Sequence, residues 1–322
     1  MSFFSNLFGA GRFNRAPSRD FRPEDLPATR PRLFLDALRT RWSAMVGMNL
    51  FYLLFWLPAV VWSGVNLLTL QSVLTSAAPS AEMADAVSQL ALTYLLILWP
   101  LVAITGPATA GVSYVFRNWA RGEHSFAVSD CVEHARKNWK HALFLSTVTG
   151  ALPLLTYLLW RFYSGMAASV SSAFLIPQAI VLVAVVVWLL MLEILHTMMV
   201  TYRLTLRQLL GNALRLVLGK LPLFLGVRLL TLAVPAVMVI AYLFFPQQAA
   251  TVLAVGGFYY IAIGLSMNRL VYASMSNALC ERYINAKIGA PVNIGMRTQT
   301  PPPGEEDGLV EPDRPDGEGE AE

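Results

Sequence analysis

Charge is scarce in this chain. Only 14% of its 322 residues are Asp, Glu, Lys or Arg, where a soluble protein carries roughly 25%. With 56% hydrophobic residues, a soluble fold would have nowhere to place its surplus apolar surface, so that class is excluded. Cysteine is nearly missing too. Cys131 and Cys280 are too few and too far apart for a disulfide framework, and they read as small inert side chains. Catalytic signatures are absent: the chain has no phosphate-binding G-x-x-x-x-G-K-[ST] loop, no H-E-x-x-H and no G-x-S-x-G elbow. Histidine occurs four times, at 124, 134, 141 and 196. Cys131-x-x-His134 is one half of a metal spacing without its second half. No metal, no cofactor and no enzymatic activity are therefore expected. A secretory signal is not expected either, because Ser5, Asn6 and glycines interrupt Phe3, Phe4, Leu7 and Phe8. That stretch reads equally as a weak interfacial anchor or as a disordered terminus.

What is present is apolar length. Six runs, 43–70, 90–116, 142–163, 173–200, 221–245 and 252–276, each cover the roughly 20 helical residues that a bilayer about 30 Å thick requires. Backbone groups in lipid must pair internally and these runs do not alternate, so each is read as a helix and a β-barrel is excluded. The expected fold is an all-α polytopic bundle: 1–32 as an N-terminal segment, 33–283 as a six-helix transmembrane domain, and 284–322 as a tail, disordered and acidic from about 298.

Lys and Arg set the orientation. Eight arginines precede Trp42, none lies in 71–89, five basic residues fill 117–140, one follows span three, four lie between spans four and five, and the last connection has none. Rich and poor alternate, which is the positive-inside pattern for both termini in the cytoplasm. The net charge of +4 therefore flanks membrane spans and does not indicate nucleic acid. Basic amphipathic stretches at 33–42, 129–139 and 204–220 precede the odd-numbered spans. They read as short cytoplasmic helices, each leading an in–out–in hairpin. Aligning Trp42 with Trp139 pairs Asp36 with Glu133 and Arg39 with Arg136. Two explanations stay open: internal repetition, or the common demands on any basic helix lying on a membrane.

Charges inside spans are the leading candidates for function, because each is costly in hydrocarbon. Glu193 lies about 15 Å, Arg228 about 12 Å and Arg269 about 10 Å from the basic flanks of their spans, at about 1.5 Å per residue. Asn49, Ser146, Thr149, His196 and Asn268 share that layer. Two readings are weighed: a cytoplasm-open polar cavity in which Glu193 pairs with Arg228 or Arg269, and a structural ion pair with Arg269 snorkelling to the interface. The cluster's net charge of +1 favours an anionic or polyol-like ligand. A second feature is Pro107, which removes a backbone donor and predicts a helix break near Thr105, followed by small residues that admit a close neighbour.

Gly106-Pro107-Ala108-Thr109-Ala110-Gly111, then Phe116-Arg117-Asn118-Trp119-Ala120-Arg121-Gly122-Glu123, and Ala135 to Lys140 around Trp139 resemble the hallmark of the YesL-like family of bacterial polytopic membrane proteins. The resemblance is specific over 106–140 and diffuse over the rest of 33–283. The long N-terminal segment, 286–296 and the acidic tail depart from it. It implies a bacterial cell-membrane protein of unsettled activity that accompanies carbohydrate uptake and degradation, with no catalytic residues to carry over. The expected function is an accessory or regulatory component of carbohydrate uptake; the alternative is a small-solute transporter acting as an oligomer. Expected partners are membrane lipids, a sugar-transport complex and further copies of the chain. The loop 117–140 reads either as a docking surface or as an anchor, with Trp119 and Trp139 at headgroups and Arg117 and Arg121 on anionic lipid.

Overall fold

A computed structural model describes residues 26–76 and 80–297; the anchor reading for 1–13 and the tail from 298 lie outside them. All regular elements among the described residues are helical. In chain order they are α1 (Arg30–Thr40), α2 (Trp42–Ser76), α3 (Ala81–Ala103), α4 (Gly106–Trp119), α5 (Ala127–Ser169), α6 (Leu175–Thr201), α7 (Leu206–Gly219), α8 (Leu221–Phe244), α9 (Pro246–Tyr259), α10 (Leu265–Cys280) and α11 (Ala286–Ile288). Two π-helical turns, Tyr260–Gly264 and Glu281–Asn285, continue α9 into α10 and α10 into α11. Six helices are long and apolar enough to cross a membrane, and the chain is a multi-pass membrane protein. Its spans form three hairpins: α2 with α3–α4, α5 with α6, and α8 with α9–α10.

The surface supports this reading. Leu54, Leu68, Val183 and Leu229 are each more than 60% exposed, and such a spread of apolar side chains is stable only against lipid. Burial concentrates toward the end of the bundle that carries the basic connections. Met45, Val112, Phe116, Ile194, Met198 and Phe224 are fully enclosed there.

The three basic stretches fold differently. α7 starts with a capping box, in which the Thr205 hydroxyl accepts from the Gln208 N–H and Gln208 Oε1 accepts from the Thr205 N–H at 3.0 Å. It buries Leu209, Ala213 and Val217, one residue per turn. α1 likewise buries Leu33 and Ala37. The stretch 129–139, expected as a separate short helix, is fused into α5, a single helix of 43 residues. No proline interrupts α5 before Pro153, and the Lys137–Glu133 pair at 2.5 Å supports the join.

Pro107 sits in the first turn of α4, and the break falls at Ile104 and Thr105. From there α4 lies directly on α5. A Cβ on Gly106 would meet the Ala142 carbonyl at 2.5 Å, and one on Gly111 would run into the Cys131 carbonyl. The two backbones touch because neither glycine carries a side chain.

Asn49 resolves a different backbone problem. The π-turn at 260–264 loosens the regular ladder. Asn49 Nδ2 donates to the carbonyls of Tyr260 (2.8 Å) and Ile261 (2.7 Å), and its Oδ1 accepts from the Ser266 N–H at 2.9 Å. Asn49 is thus committed to structure. At the basic end the folded chain continues past Tyr283. Glu281 pairs with Arg30 and accepts from the Asn293 N–H (2.7 Å), and the Arg297 N–H donates to the Pro27 carbonyl (3.1 Å).

Gly111→Ala is expected to lower stability by about 1–3 kcal/mol through overpacking. Gly165→Ala, on α5 with nothing within 4 Å of the added carbon, should be neutral or slightly stabilising. Thermal unfolding of the purified protein in detergent separates the two; equal melting temperatures would contradict the backbone contact.

Candidate functional site

The intramembrane charges converge. Glu193, on the third turn from the end of α6, has no exposed side-chain surface, and its Oε1 lies 3.0 Å from Arg228 Nε. Arg228 also donates to the Tyr272 hydroxyl (3.1 Å) and to the Leu189 carbonyl. Tyr272 in turn donates to Thr231 Oγ1 at 2.9 Å. One guanidinium therefore ties α8 to α6 and α10. Of the two partners weighed for Glu193, Arg228 is the one in contact.

Arg269 is placed otherwise. Its Nη2 donates to the Tyr52 hydroxyl at 3.2 Å, and its guanidinium lies 5.7 Å from that ring's centre. Tyr52 shares a hydrogen bond of 2.6 Å with Thr109 Oγ1. Among the described residues Arg269 forms no ion pair. It does not snorkel; it points into the bundle.

These groups border a cavity of about 220 Å³. Its walls come from every hairpin: Tyr52 and Trp56 of α2, Thr105 at the break, Thr109 of α4, Ser146 and Thr149 of α5, His196 of α6, Arg228 of α8, and Asn268, Arg269 and Tyr272 of α10. The break at Thr105 contributes directly, because it turns Thr105 and Thr109 toward this space. His196 is 6% exposed. Its ring approaches the Leu192 carbonyl one turn back and has no side-chain partner among the described residues. Glu193 stands behind Arg228 and does not line the cavity.

One of the two readings weighed from the sequence opens the cavity toward the basic end, and on that side the structure places a fully buried layer. Met45, Met48, Val112, Phe116, Met198 and Phe224, each fully buried, lie between the cavity and the basic connections on four of the wall helices. One to two turns beyond the cavity in the other direction, Val60, Leu155, Val186 and Leu232 are exposed.

The residues 106–140 divide into three groups. Gly106 and Pro107 form the break and the contact with α5, and Thr109 faces the cavity. Trp119 and Arg121 are 1% and 6% exposed, so neither rests on headgroups or lipid. Trp119 packs edge-on against Phe116 with Arg41 over its ring at 5.9 Å, because α1 and the 119–122 turn close over it. Gly122 adopts φ +72° to make that turn. Arg117 is stacked on Tyr114 at 4.7 Å and donates to Asn118 Oδ1 at 2.6 Å; burial holds its guanidinium below the ordinary value. Only Trp139 is outward, 48% exposed beside Lys140. Cys131 is buried and free, and His134 stacks on Tyr114 at 3.3 Å. No group of three or more His, Cys, Asp or Glu suited to a metal occurs among the described residues.

Sequence reasoning overlooked Tyr52, Trp56 and Tyr272. Each reads as one more apolar residue of a span. The available signal was that a tyrosine hydroxyl at mid-span must find a partner, and the arginines and threonines of the same layer supply it.

Removing one member of a buried ion pair typically costs about 3–5 kcal/mol. Glu193→Gln and Arg228→Gln should each lower membrane accumulation and melting temperature, and the double variant should lose less than the sum of the two. Additive losses in a double-mutant cycle would show that the pair is not coupled. No family model, curated protein or solved structure matches the chain.

Proposed function

We propose that this protein binds a small polar solute within the membrane and takes part in its passage, with the basic end in the cytoplasm. The observation that carries the reading is the cavity itself. Among the polar side chains around it, Arg269 has no counter-charge and His196 no hydrogen-bond partner among the described residues, and an apolar bundle gains nothing from either. Polar groups at mid-membrane that converge on a cavity shared by several helices are the usual construction of a solute path. The fully buried layer on the basic side of the cavity corresponds to a closed gate there. The single chain encloses the space only in part, which favours work as an oligomer.

Accessibility tests this. Thr149→Cys should react with a membrane-impermeant methanethiosulfonate reagent from the face opposite the basic connections, whereas Leu145→Cys, in the closed layer, should not. Cys131 and Cys280 are buried and leave little background. Failure of every cavity position to react from either face would remove the reading.

A second reading follows from the family resemblance: an accessory component held by a sugar-transport complex. It is favoured by an exposed apolar stripe at the basic end of α5, where Phe126, Val128, Val132 and Trp139 are 37–70% exposed. If that stripe is a docking face, Val132→Glu with Trp139→Glu should release sugar-transport subunits that otherwise co-purify, without altering melting temperature. Unchanged co-purification would assign the stripe to lipid.

A further inference from the structure

We infer that the occupant of the cavity is a small organic monoanion that carries hydroxyl groups, with its oxyanion on Arg269. This rests on the solute-binding reading above and narrows it to a chemical class.

The charge balance comes first. Two cations reach the space. Arg228 is neutralised by Glu193 at 3.0 Å, and its remaining nitrogens are committed to Tyr272 and the Leu189 carbonyl. Arg269 holds one tyrosine hydroxyl and no carboxylate among the described residues. The site therefore has one uncompensated positive charge. In a medium of low dielectric constant an isolated charge is expensive, and a single counter-charge brought next to it is strongly favoured. A cation would meet repulsion from both arginines. A dianion would leave the site with a net charge of −1 and no further free cation. A guanidinium is also the side chain best shaped to hold a carboxylate or phosphate oxygen pair.

The hydroxyl requirement comes from the other walls. Ser146, Thr149, Thr105 and Asn268 offer neutral donors and acceptors around the same space. His196, almost wholly buried at the rim of the cavity, lacks a side-chain partner. A bare alkyl acid would leave the two ring nitrogens of His196, which have no partner among the described residues, unsatisfied. A polyhydroxylated chain satisfies them. Trp56 and Tyr52 supply aromatic faces for the C–H side of such a chain.

The test is a set of six-carbon compounds that differ in charge. Gluconate (−1), sorbitol (0), glucamine (+1), glucarate (−2) and hexanoate (−1, without hydroxyls) are titrated into the purified full-length protein, with melting temperature and calorimetric Kd as readouts. Gluconate should bind at least tenfold tighter than each of the others. Arg269→Gln should bring gluconate down to the level of sorbitol while leaving sorbitol unchanged, and Arg269→Lys, which retains the charge, should restore part of the preference. The melting temperature of each variant without ligand shows whether it is folded. Sorbitol binding as tightly as gluconate overturns the anion inference and leaves the solute reading standing. No gluconate binding also overturns it, and the solute reading is then decided separately by the Thr149→Cys labelling. Competition by dihexanoylphosphatidylglycerol that depends on Arg269 would support the same oxyanion chemistry, supplied by a lipid headgroup.

Discussion

The ion pair between Glu193 and Arg228 anchors the interior of this bundle. A carboxylate with no exposed surface cannot remain charged in lipid without a counter-charge. Meeting that need brings α8 against α6 at one height. Arg228 then spends its other donors on the Leu189 carbonyl and on Tyr272 of α10, so three helices from two hairpins are joined at one point. With Arg228 satisfied, Arg269 is left as the free charge, and the character of the cavity follows from that division.

The second organising contact is between backbones. The break at Ile104 and Thr105 lets α4 leave the line of α3, and Gly106 and Gly111 bring it onto α5 with no side chain between. This does two things at once. It seals the basic half of the bundle around Phe116 and Trp119, and it turns Thr105 and Thr109 toward the cavity. The residues 106–111, 116–123 and 135–140 thus build the packed end and one wall of the site, and only Trp139 among their aromatic members faces outward.

Much of the architecture was legible beforehand because bilayer physics is demanding. Six apolar runs, the break before Pro107 and the polar layer of Glu193, His196, Arg228, Asn268 and Arg269 follow from backbone and charge constraints that act locally. The errors also have physical causes. The stretch 129–139 was read as a separate helix because basic amphipathic segments usually lie on the membrane, yet nothing in its sequence stops it from running on into α5. Of the two readings open for the 117–140 loop, the anchor one does not hold for Trp119 and Arg121: Trp and Arg favour the headgroup zone, but here both are buried, with Arg41 over the Trp119 ring.

By itself the sequence determined that the chain is a multi-helix membrane protein and which side chains would be uncomfortable in lipid, since hydropathy and helix rise are properties of single segments. Tertiary structure alone decided how that discomfort was relieved. Which arginine takes Glu193, which stands free, that Tyr52 and Tyr272 serve them, and that the basic end is the closed one all depend on helix rotation and crossing, which no single segment encodes. Those contacts give the three hairpins one packed end and one charged cavity.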